Sequence, residues 1–378
     1  MIIRTIQWHP YRVPLLTNFG TAHQQLATRE GVIVEIYTDD GIVGVGEIAP
    51  LPEFTGDTVQ DILPFLPYIA EHLQNKSLPE ALSILHSNLN TIPSSARYGI
   101  ETAFLDAQGQ SEGRSLSSIL AQSSSSNGDG QIIRSEIAVN TVIGTMSTDA
   151  TVKLAQEAIA AGFRCIKLKM GSEPEVEVAR VGAVRVAIGP LIDLRLDANE
   201  GWTREQAKSI LMHCADFNIQ YVEQPLSRND LEGMHALRQT VSIPIAVDEM
   251  LSDLASAQRI LAAGAADIFI VKPQLSGGLY NTQRMLQLAS EHGLRCVITS
   301  SIEAGIGVAA ALHLAASSPE VTLACGLGTL PMLKNDLISG ALPIYRGTMR
   351  VPDAPGLGVT LDREALATFS TISQRGLK

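Results

Sequence analysis

The sequence lacks an apolar run long enough to cross a membrane. The longest stretch of small and apolar residues, 304–316, is interrupted by glycines and a histidine. It is shorter than the roughly 20 residues that a membrane-spanning helix needs. The N-terminal residues 1–8 alternate as a β-strand does and contain no apolar core of a signal peptide. We therefore expect a cytoplasmic protein with no membrane partner.

Positive charge and cysteine are also scarce. The 28 Lys and Arg residues are outnumbered by 39 Asp and Glu residues, the net charge is −11, and no run of Lys or Arg occurs. This balance argues against a nucleic-acid partner and against binding to anionic membranes. The four cysteines match no spacing of zinc ligands, and buried free thiols are predicted at Cys165, Cys214, Cys296 and Cys325.

The chain of 378 residues exceeds one average domain, and its pattern changes along its length. Residues 1–130 combine strand-like runs, two of them joined by a hairpin turn at 39–41, with helical patterns over 58–74 and 96–109. They end in a polar segment, 123–130, that is typical of a linker. Residues 131–336 follow a regular repeat, which residues 337–378 lose again. We predict an α/β domain from the middle region. The N-terminal segment and the C-terminal tail together are predicted to build an α+β capping domain.

The repeat of the middle region has a period of about 25 residues and alternates a short apolar run with a helical pattern. Such alternation indicates consecutive βα units, and eight strands fit the available length. The predicted fold is therefore a (β/α)8-type barrel, a modified TIM barrel. The candidate strands are 136–143, 164–169, 193–198, 219–224, 244–248, 267–272, 295–299 and 321–325.

Charged residues close successive apolar runs of this region. They are Lys169, Asp197, Glu223, Asp248 and Lys272, at steps of 28, 26, 25 and 24 residues. Lys167 lies two residues before Lys169, on the same face of its strand. Because the C-terminal ends of all strands of such a barrel meet at one mouth, we expect these side chains to share one cavity.

Three carboxylates without a neighbouring His or Cys form an all-oxygen site, which suits Mg²⁺ or Mn²⁺ rather than zinc. A lysine beside a divalent cation and beside a second lysine loses proton affinity and becomes a base at neutral pH. A metal that stabilises an enolate oxygen, next to such a lysine, is suited to removing a proton adjacent to a carboxylate. The sequence thus predicts Asp197, Glu223 and Asp248 as metal ligands and Lys169 as general base and acid.

This set of residues resembles the enolase superfamily, in its muconate-lactonizing-enzyme subgroup, and the resemblance covers almost the whole chain. Segments 46–52, 272–278 and 300–303 are similar to the capping domain and the late barrel strands of the o-succinylbenzoate synthases of that superfamily. The resemblance implies Mg²⁺ as the cofactor, with Mn²⁺ as a substitute, and a small carboxylate as the substrate. It also implies Lys169 and Lys272 as catalytic residues that face the substrate from opposite sides of the barrel.

Substrate contacts are implied in several places. In this superfamily a loop of the first domain covers the barrel mouth, here around Phe19 to Thr21. Hydroxyls and amides at the ends of the seventh and eighth strands suit a distal carboxylate of the substrate and, equally, turn geometry alone. Lys167 is expected to tune the charge and touch the substrate carboxylate. Asn199 and Glu249 lie just past two of the metal ligands, where they suit either support of the ligands or a turn or surface role. The candidate substrate-binding residues are Lys167, Phe19, Thr21, Asn199, Thr299, Ser300, Ser301, Gly326 and Leu327.

Two activities follow from the resemblance, and a non-catalytic barrel is a third reading. The first is the dehydration of 2-succinyl-6-hydroxy-2,4-cyclohexadiene-1-carboxylate by an o-succinylbenzoate synthase of menaquinone or phylloquinone biosynthesis. There Lys169 moves the proton, and Lys272 stabilises the anion or stacks on the ring. The second is an N-acylamino-acid racemase, such as an N-succinylamino-acid racemase, or a dipeptide epimerase, with both lysines as bases.

The second activity meets two departures from its pattern. Leu275 stands where the racemases carry Arg, and the stretch 325–329 lacks the acid pair of many dipeptide epimerases. A non-catalytic binding barrel is the third reading, and it is disfavoured because no ligand or base is missing. The sequence leaves a monomer and a homo-oligomer equally open.

Overall fold

The computed structural model of the chain describes residues 1–20, 25–87, 92–124, 132–171 and 173–371. Within these ranges an α+β unit is followed by a parallel β-barrel, and the C-terminal segment extends back to the α+β unit. The predicted linker, 123–130, lies outside the described residues except for its first two positions, which end a helix.

The α+β unit begins with an antiparallel sheet and continues with helices. Its elements are β1 (Ile3–Gly20), β2 (Gln25–Thr38), β3 (Val43–Ile48), α1 (Pro52–Thr55), α2 (Val59–Ile62), α3 (Phe65–Leu73), α4 (Leu78–Ser87), α5 (Ser94–Glu112) and α6 (Leu116–Ser124). Alternate residues of β2, such as Val32 and Val34, are buried in one core with apolar residues of the helices. Ile33 points to the other side and joins the core that extends into the barrel.

Two predictions for this unit have different outcomes. The predicted hairpin at 39–41 is confirmed, because β2 and β3 pair antiparallel and Gly41 has a φ of +87° in the turn. The single helical pattern over 58–74 is wrong, since the chain forms α2 and α3 with Leu63 and Pro64 between them. Proline lacks a backbone donor and clashes with the preceding turn, so the helix restarts at Phe65.

The middle region consists of alternating strands and helices. Its elements are β4 (Glu136–Ala138), β5 (Thr141–Ile143), α7 (Thr148–Ala160), β6 (Cys165–Lys169), α8 (Pro174–Ile188), β7 (Asp193–Asp197), α9 (Arg204–His213), β8 (Ile219–Glu223), α10 (Leu231–Thr240), β9 (Ile245–Val247), α11 (Leu254–Ala263), β10 (Ile268–Val271), α12 (Pro273–Ser276), α13 (Leu279–Glu291), β11 (Arg295–Ile298) and α14 (Gly305–Ser317). The strands β5 to β11 pair in parallel and in chain order, which confirms the predicted βα repeat and barrel class.

The eighth position of the barrel is filled by two residues instead of a full strand. The amide of Cys325 donates to Ala138 O, shortly before β5, at 2.7 Å, and that of Gly326 donates to Ile298 O of β11 at 2.9 Å. The predicted strand 321–325 is wrong in extent, since only isolated bridges form at Cys325 and Gly326. Its first residue, Val321, still bonds to Ser318 O in the turn that follows α14.

The C-terminal segment adds short strands and a helix. They are β12 (Ile338–Ser339), β13 (Ile344–Tyr345), β14 (Thr348–Arg350), β15 (Thr360–Leu361) and α15 (Arg363–Phe369). Because β14 pairs with β4, the predicted first barrel strand, 136–143, is divided, and only β5 enters the barrel. The segment reaches the α+β unit where Arg363 pairs with Glu35 at 2.5 Å and Ser370 bridges to Tyr11. No helix among the described residues has both the length and the apolar composition to cross a membrane.

A buried aspartate of α5 ties this segment to β3. Asp106 accepts hydrogen bonds from Val45 N at 2.8 Å and from Leu357 N at 2.7 Å. Burial raises the pKa of Asp106 to about 6, from an ordinary value of 3.8. The folded state therefore binds this proton more tightly than the unfolded state does.

The sign of the resulting pH dependence follows. The contribution of Asp106 to stability is fully present below pH 3.8 and is lost as the pH rises through about 6. We expect Asp106→Asn to remove this component, so that the free energy of unfolding declines less steeply between pH 4 and 6 than in the wild type. Urea denaturation at several pH values measures it, with the exposed Asp353→Asn as control. Parallel curves for wild type and Asp106→Asn would contradict the assignment.

Candidate active site

A cavity of about 740 Å³ opens at the C-terminal ends of the barrel strands. Most of the site residues predicted from the sequence contribute to its wall, although they lie far apart along the chain. They are Lys167, Lys169, Asp197, Asn199, Glu223, Asp248, Lys272, Thr299, Ser300, Ser301 and Gly326. The structure thus places these residues around one cavity, at the strand ends where a barrel of this kind has its mouth.

Strand register explains why the charged residues meet. Lys169 pairs with Asp197 across β6 and β7, and Asp197 pairs with Glu223 across β7 and β8. Asp248 and Lys272 come directly after β9 and β10, one step further around the same rim. Parallel strands in register thus bring three carboxylates to neighbouring positions, with Lys169 and Lys272 on opposite sides of the barrel.

The two lysines of β6 are held by the carboxylates. The ammonium of Lys167 lies 2.7 Å from Glu223 Oε1 and 2.8 Å from Asp197 Oδ2. The ammonium of Lys169 donates to Asp197 Oδ2 at 2.7 Å and to Asn199 Oδ1 at 2.6 Å. Asn199 in turn donates to Glu249 Oε1 at 2.9 Å. Lys169 is therefore fixed by a chain of hydrogen bonds along the ends of β6, β7 and β9.

Burial and mutual charge set the protonation of this group. Burial favours the neutral form of Asp197, but the ammonium groups of Lys167 and Lys169 hold the pKa of Asp197 well below its usual value. Burial also opposes the charge of Lys167, yet the carboxylates of Asp197 and Glu223 raise the pKa of Lys167 well above its usual value. At Lys167 the charges of the two acids therefore outweigh the effect of burial.

Burial and neighbouring negative charge raise the pKa of two further carboxylates of the site. Burial and the charge of Asp197 raise the pKa of Glu223 to about 7. Burial and the charge of Asp248 raise the pKa of Glu249 to about 8. One oxygen of each, Glu223 Oε2 and Glu249 Oε2, is buried without a hydrogen-bond partner among the described residues. Buried carboxylate oxygens of this kind require a cation or a proton.

The donor chemistry of these acids fits a divalent cation that prefers oxygen ligands. Within the described residues, however, no three His, Cys, Asp or Glu side chains stand in the arrangement of a formed metal centre. Both lysines of β6 bond to the same oxygen of Asp197, and Lys272 bonds to Asp248. Lysine ammonium groups therefore bond to one oxygen of each acid that would hold a cation, Asp197, Glu223 and Asp248.

Lys272, on the far side of the cavity, has two partners of different kinds. Its ammonium donates to Asp248 Oδ1 and lies 4.1 Å from the centre of the Phe54 ring. Phe54 belongs to α1 of the α+β unit and lines the cavity together with Leu51 and Leu16. Phe54, Leu51 and Leu16 were not predicted as site residues from the sequence. Apolar side chains that cover a barrel mouth have no sequence pattern that distinguishes them from core residues.

A charged layer below the carboxylates was also missed. Arg195 lies two residues before Asp197 on the same face of β7 and is fully buried inside the barrel. It donates to Gln220 Oε1 at 2.7 Å and to Ala324 O at 2.8 Å, and its guanidinium lies 4.8 Å from the centre of the Tyr221 ring. The alternation Arg-x-Asp within β7 was the available signal.

Three predicted substrate contacts differ from expectation or lie outside the structure. Leu327 is fully buried in the core rather than exposed to the cavity, because the chain turns inward after the bridge at Gly326. Phe19 is not in a loop, since β1 continues to Gly20 and Phe19 pairs with Leu26. Thr21 lies outside the described residues.

The hydroxyls after β11 are largely engaged by their own loop. Ser300 Oγ donates to Glu303 Oε2 at 2.5 Å and accepts from Ile302 N at 2.9 Å. Thr299 Oγ1 donates to Gly326 O at 3.1 Å. These bonds favour the turn-forming role for Thr299 and Ser300, whereas Ser301 Oγ is buried without a hydrogen-bond partner among the described residues.

Known proteins with similar sequence and structure match both units. Residues 150–365 match the family described as Enolase C-terminal domain-like, and residues 3–106 match the MenC N-terminal domain. The L-Ala-D/L-Glu epimerase of Bacillus subtilis is 31% identical over 365 residues, 95% of this chain and 97% of the relative. A substrate-liganded complex of that epimerase superposes with a TM-score of 0.87 at 30% identity, covering 95% of this chain and 99% of the other.

Two further proteins differ in what they catalyse. A dipeptide epimerase of Enterococcus faecalis, complexed with Mg and the dipeptide L-Leu-L-Tyr, has a TM-score of 0.87 at 27% identity, covering 95% of this chain and 100% of that one. The o-succinylbenzoate synthase of Thermobifida fusca is 33% identical over 221 residues, 57% of this chain and 68% of the relative. The barrel with its row of strand-end acids, together with these matches across the chain, shows that the protein belongs to the enolase superfamily.

Proposed function

We propose that the protein inverts the configuration of a carbon atom next to a carboxylate, as a racemase or epimerase that uses Mg²⁺. The observation that carries the proposal is the placement of Lys169 and Lys272 at the ends of β6 and β10, on opposite sides of one cavity. Inversion needs a proton removed on one face and a proton delivered on the other. The similarity to epimerases over nearly the whole chain supports this activity over the dehydration that the sequence analysis placed first.

In the proposed reaction each residue has a defined task. Asp197, Glu223 and Asp248 would hold Mg²⁺, which supplies positive charge to the substrate carboxylate and so acidifies the adjacent C–H. One lysine takes the proton from the α-carbon as a neutral amine, and the other, as an ammonium, returns a proton to the opposite face. Lys167, held as an ammonium by Asp197 and Glu223, offsets negative charge at the floor of the cavity.

The cavity wall supports a substrate whose distal part is uncharged. Apart from the lysines and carboxylates already described, the lining residues in the described ranges are apolar or carry hydroxyl and amide groups. The sequence of the segment 17–25, part of which the resemblance assigns to the loop over the barrel mouth, contains no Asp, Glu, Lys or Arg. A free dipeptide has an ammonium group and an N-succinylamino acid has a second carboxylate, and each needs a counter-charge. We therefore propose an N-acylated amino acid with a neutral acyl group.

Dehydration to o-succinylbenzoate is the second candidate. It is supported by the match of residues 3–106 to the MenC N-terminal domain and by the similarity to the synthase of Thermobifida fusca. The same lysine and the same metal would start that reaction, so the two candidates differ in the substrate rather than in the first proton transfer.

A matched series of leucine derivatives tests the proposed function. N-acetyl-leucine, N-succinyl-leucine and L-Ala-L-Leu share the reacting centre and differ in the charge of the distal end: neutral, negative and positive. In D₂O with Mg²⁺ we expect deuterium at the α-carbon of leucine in both enantiomeric products. The kcat/KM for N-acetyl-leucine should exceed the other two by about tenfold or more, because an unpaired charge in a closed site is costly.

The outcomes of this series separate the candidates. Fastest exchange with L-Ala-L-Leu would reject the neutral substrate and retain an epimerase. Conversion of the cyclohexadiene substrate faster than any exchange would replace the proposal by the second candidate. Treatment with EDTA should stop exchange, and added Mg²⁺ should restore it. Full exchange in EDTA would reject the metal assignment.

The two lysines give an independent test. We expect Lys169→Ala and Lys272→Ala each to abolish racemisation, because each removes the base on one face. The remaining lysine should still exchange the α-proton of one enantiomer with solvent, so the two variants should retain exchange of opposite enantiomers. NMR of separate D and L substrates in D₂O measures this. Loss of exchange of both enantiomers in Lys169→Ala, with Lys272→Ala still racemising, would instead indicate a one-base reaction.

A further inference from the structure

Phe54 directly contacts Lys272, one of the two lysines of the proposed reaction. Its ring centre lies 4.1 Å from the ammonium of Lys272, which also bonds to Asp248. The face of an aromatic ring attracts a cation, and the attraction is strongest where water is excluded. Lys272 is only 6% exposed, so the ring and the carboxylate hold its ammonium from two directions.

The segment that carries Phe54 is anchored before the helix begins. Arg29 of β2 donates to the carbonyls of Ala49 and Pro50, and the same guanidinium donates to Ile302 O of the barrel at 3.0 Å. The amide of Ala49 donates to Gln274 Oε1 at 3.2 Å. Gln274 follows Lys272 by two residues, so the segment of Phe54 is hydrogen-bonded to a side chain of the turn that bears the lysine.

A second arginine anchors the segment at its other end. Arg228, which follows β8, donates to Glu53 O at 3.1 Å, next to Phe54. Its guanidinium is held by Glu200, with 2.6 Å between Arg228 Nη2 and Glu200 Oε2. Both ends of the short segment therefore hydrogen-bond to the barrel. The position of the Phe54 ring over Lys272 follows from this anchoring rather than from packing of the ring alone.

We propose that Phe54 is a positioning residue for Lys272, and that the α+β unit thereby sets the geometry of one of the two lysines. The inference deepens the proposed two-lysine reaction and rests on it. A lysine has a flexible stem with four carbons, and proton transfer needs its nitrogen in reach of the α-carbon. Asp248 alone fixes one direction, and the ring supplies the second. A displacement of about 1 Å at a reacting group costs up to about 100-fold in rate.

Variants that keep a single lysine isolate the effect. In Lys169→Ala, Lys272 takes the α-proton, exchanges it with solvent and returns a deuteron to the same face; in Lys272→Ala, Lys169 does so for the other enantiomer. Phe54→Leu keeps an apolar side chain but removes the ring. We expect it to lower kcat for exchange by about tenfold or more in Lys169→Ala. In Lys272→Ala, where the lysine that the ring contacts is absent, the loss of kcat should be at least about fivefold smaller.

Two controls complete the design, with the leucine derivative that the wild type exchanges fastest as the probe. Phe54→Tyr, which keeps the ring, should restore kcat in Lys169→Ala. Phe65→Leu, at a partly exposed position of α3 in the same unit, should leave both single-lysine variants unchanged. An equal loss in both backgrounds, a change in KM alone, or faster exchange through Lys272 would overturn the inference. No exchange of any probe by the wild type would reject the proposed function itself.

Discussion

The carboxylate of Glu47 makes the contact on which the arrangement of the two units depends. It accepts hydrogen bonds from the amides of Ala304 and Gly307 at 2.7 Å each, at the N-terminus of α14 of the barrel, and from Tyr11 Oη at 2.6 Å. A helix N-terminus leaves such amides without partners and favours negative charge. A side chain of β3 thus caps the N-terminus of a barrel helix. The chain that leaves β3 is then directed across the barrel mouth, where Leu51 and Phe54 line the cavity.

Much of the barrel could be predicted from the sequence, because a charged residue ends or directly follows each of the five strands β6 to β10 and the steps between these residues are nearly constant. The regular repeat fails where pairing rather than composition decides the structure. Residues 136–138 form a strand as predicted, but they pair with β14, which is more than 200 positions away. Phe54 could not be predicted as a site residue for a similar reason. Its position depends on Arg29, Arg228 and Gln274, which contact its segment only in the folded chain.

The charged residues of the cavity bear on the type of reaction, whereas the uncharged wall bears on the substrate. In the proposed reaction the acids and lysines would remove a proton next to a carboxylate, a step that epimerases and dehydrating enzymes of the superfamily have in common. They do not select among substrates, because the reacting group is the same in each. Selection falls to the wall, which combines apolar residues such as Met146 and Met332 with uncharged polar ones such as Asn140 and Thr329. The chemistry is therefore predictable from strand ends, whereas the substrate is not.

The two lysines are supported from different parts of the molecule. The ion pair and hydrogen bond of Lys169 to Asp197 and Asn199 lie within the barrel, whereas Lys272 also contacts Phe54 of the α+β unit. A shift of that unit on the barrel would therefore move the ring away from Lys272 while the bonds between Lys169 and its barrel partners remain. Because Glu47, Arg29 and Gln274 all resist such a shift, the interface between the units is part of the catalytic geometry. In this protein the covering of the mouth and the placement of one lysine depend on the same set of hydrogen bonds.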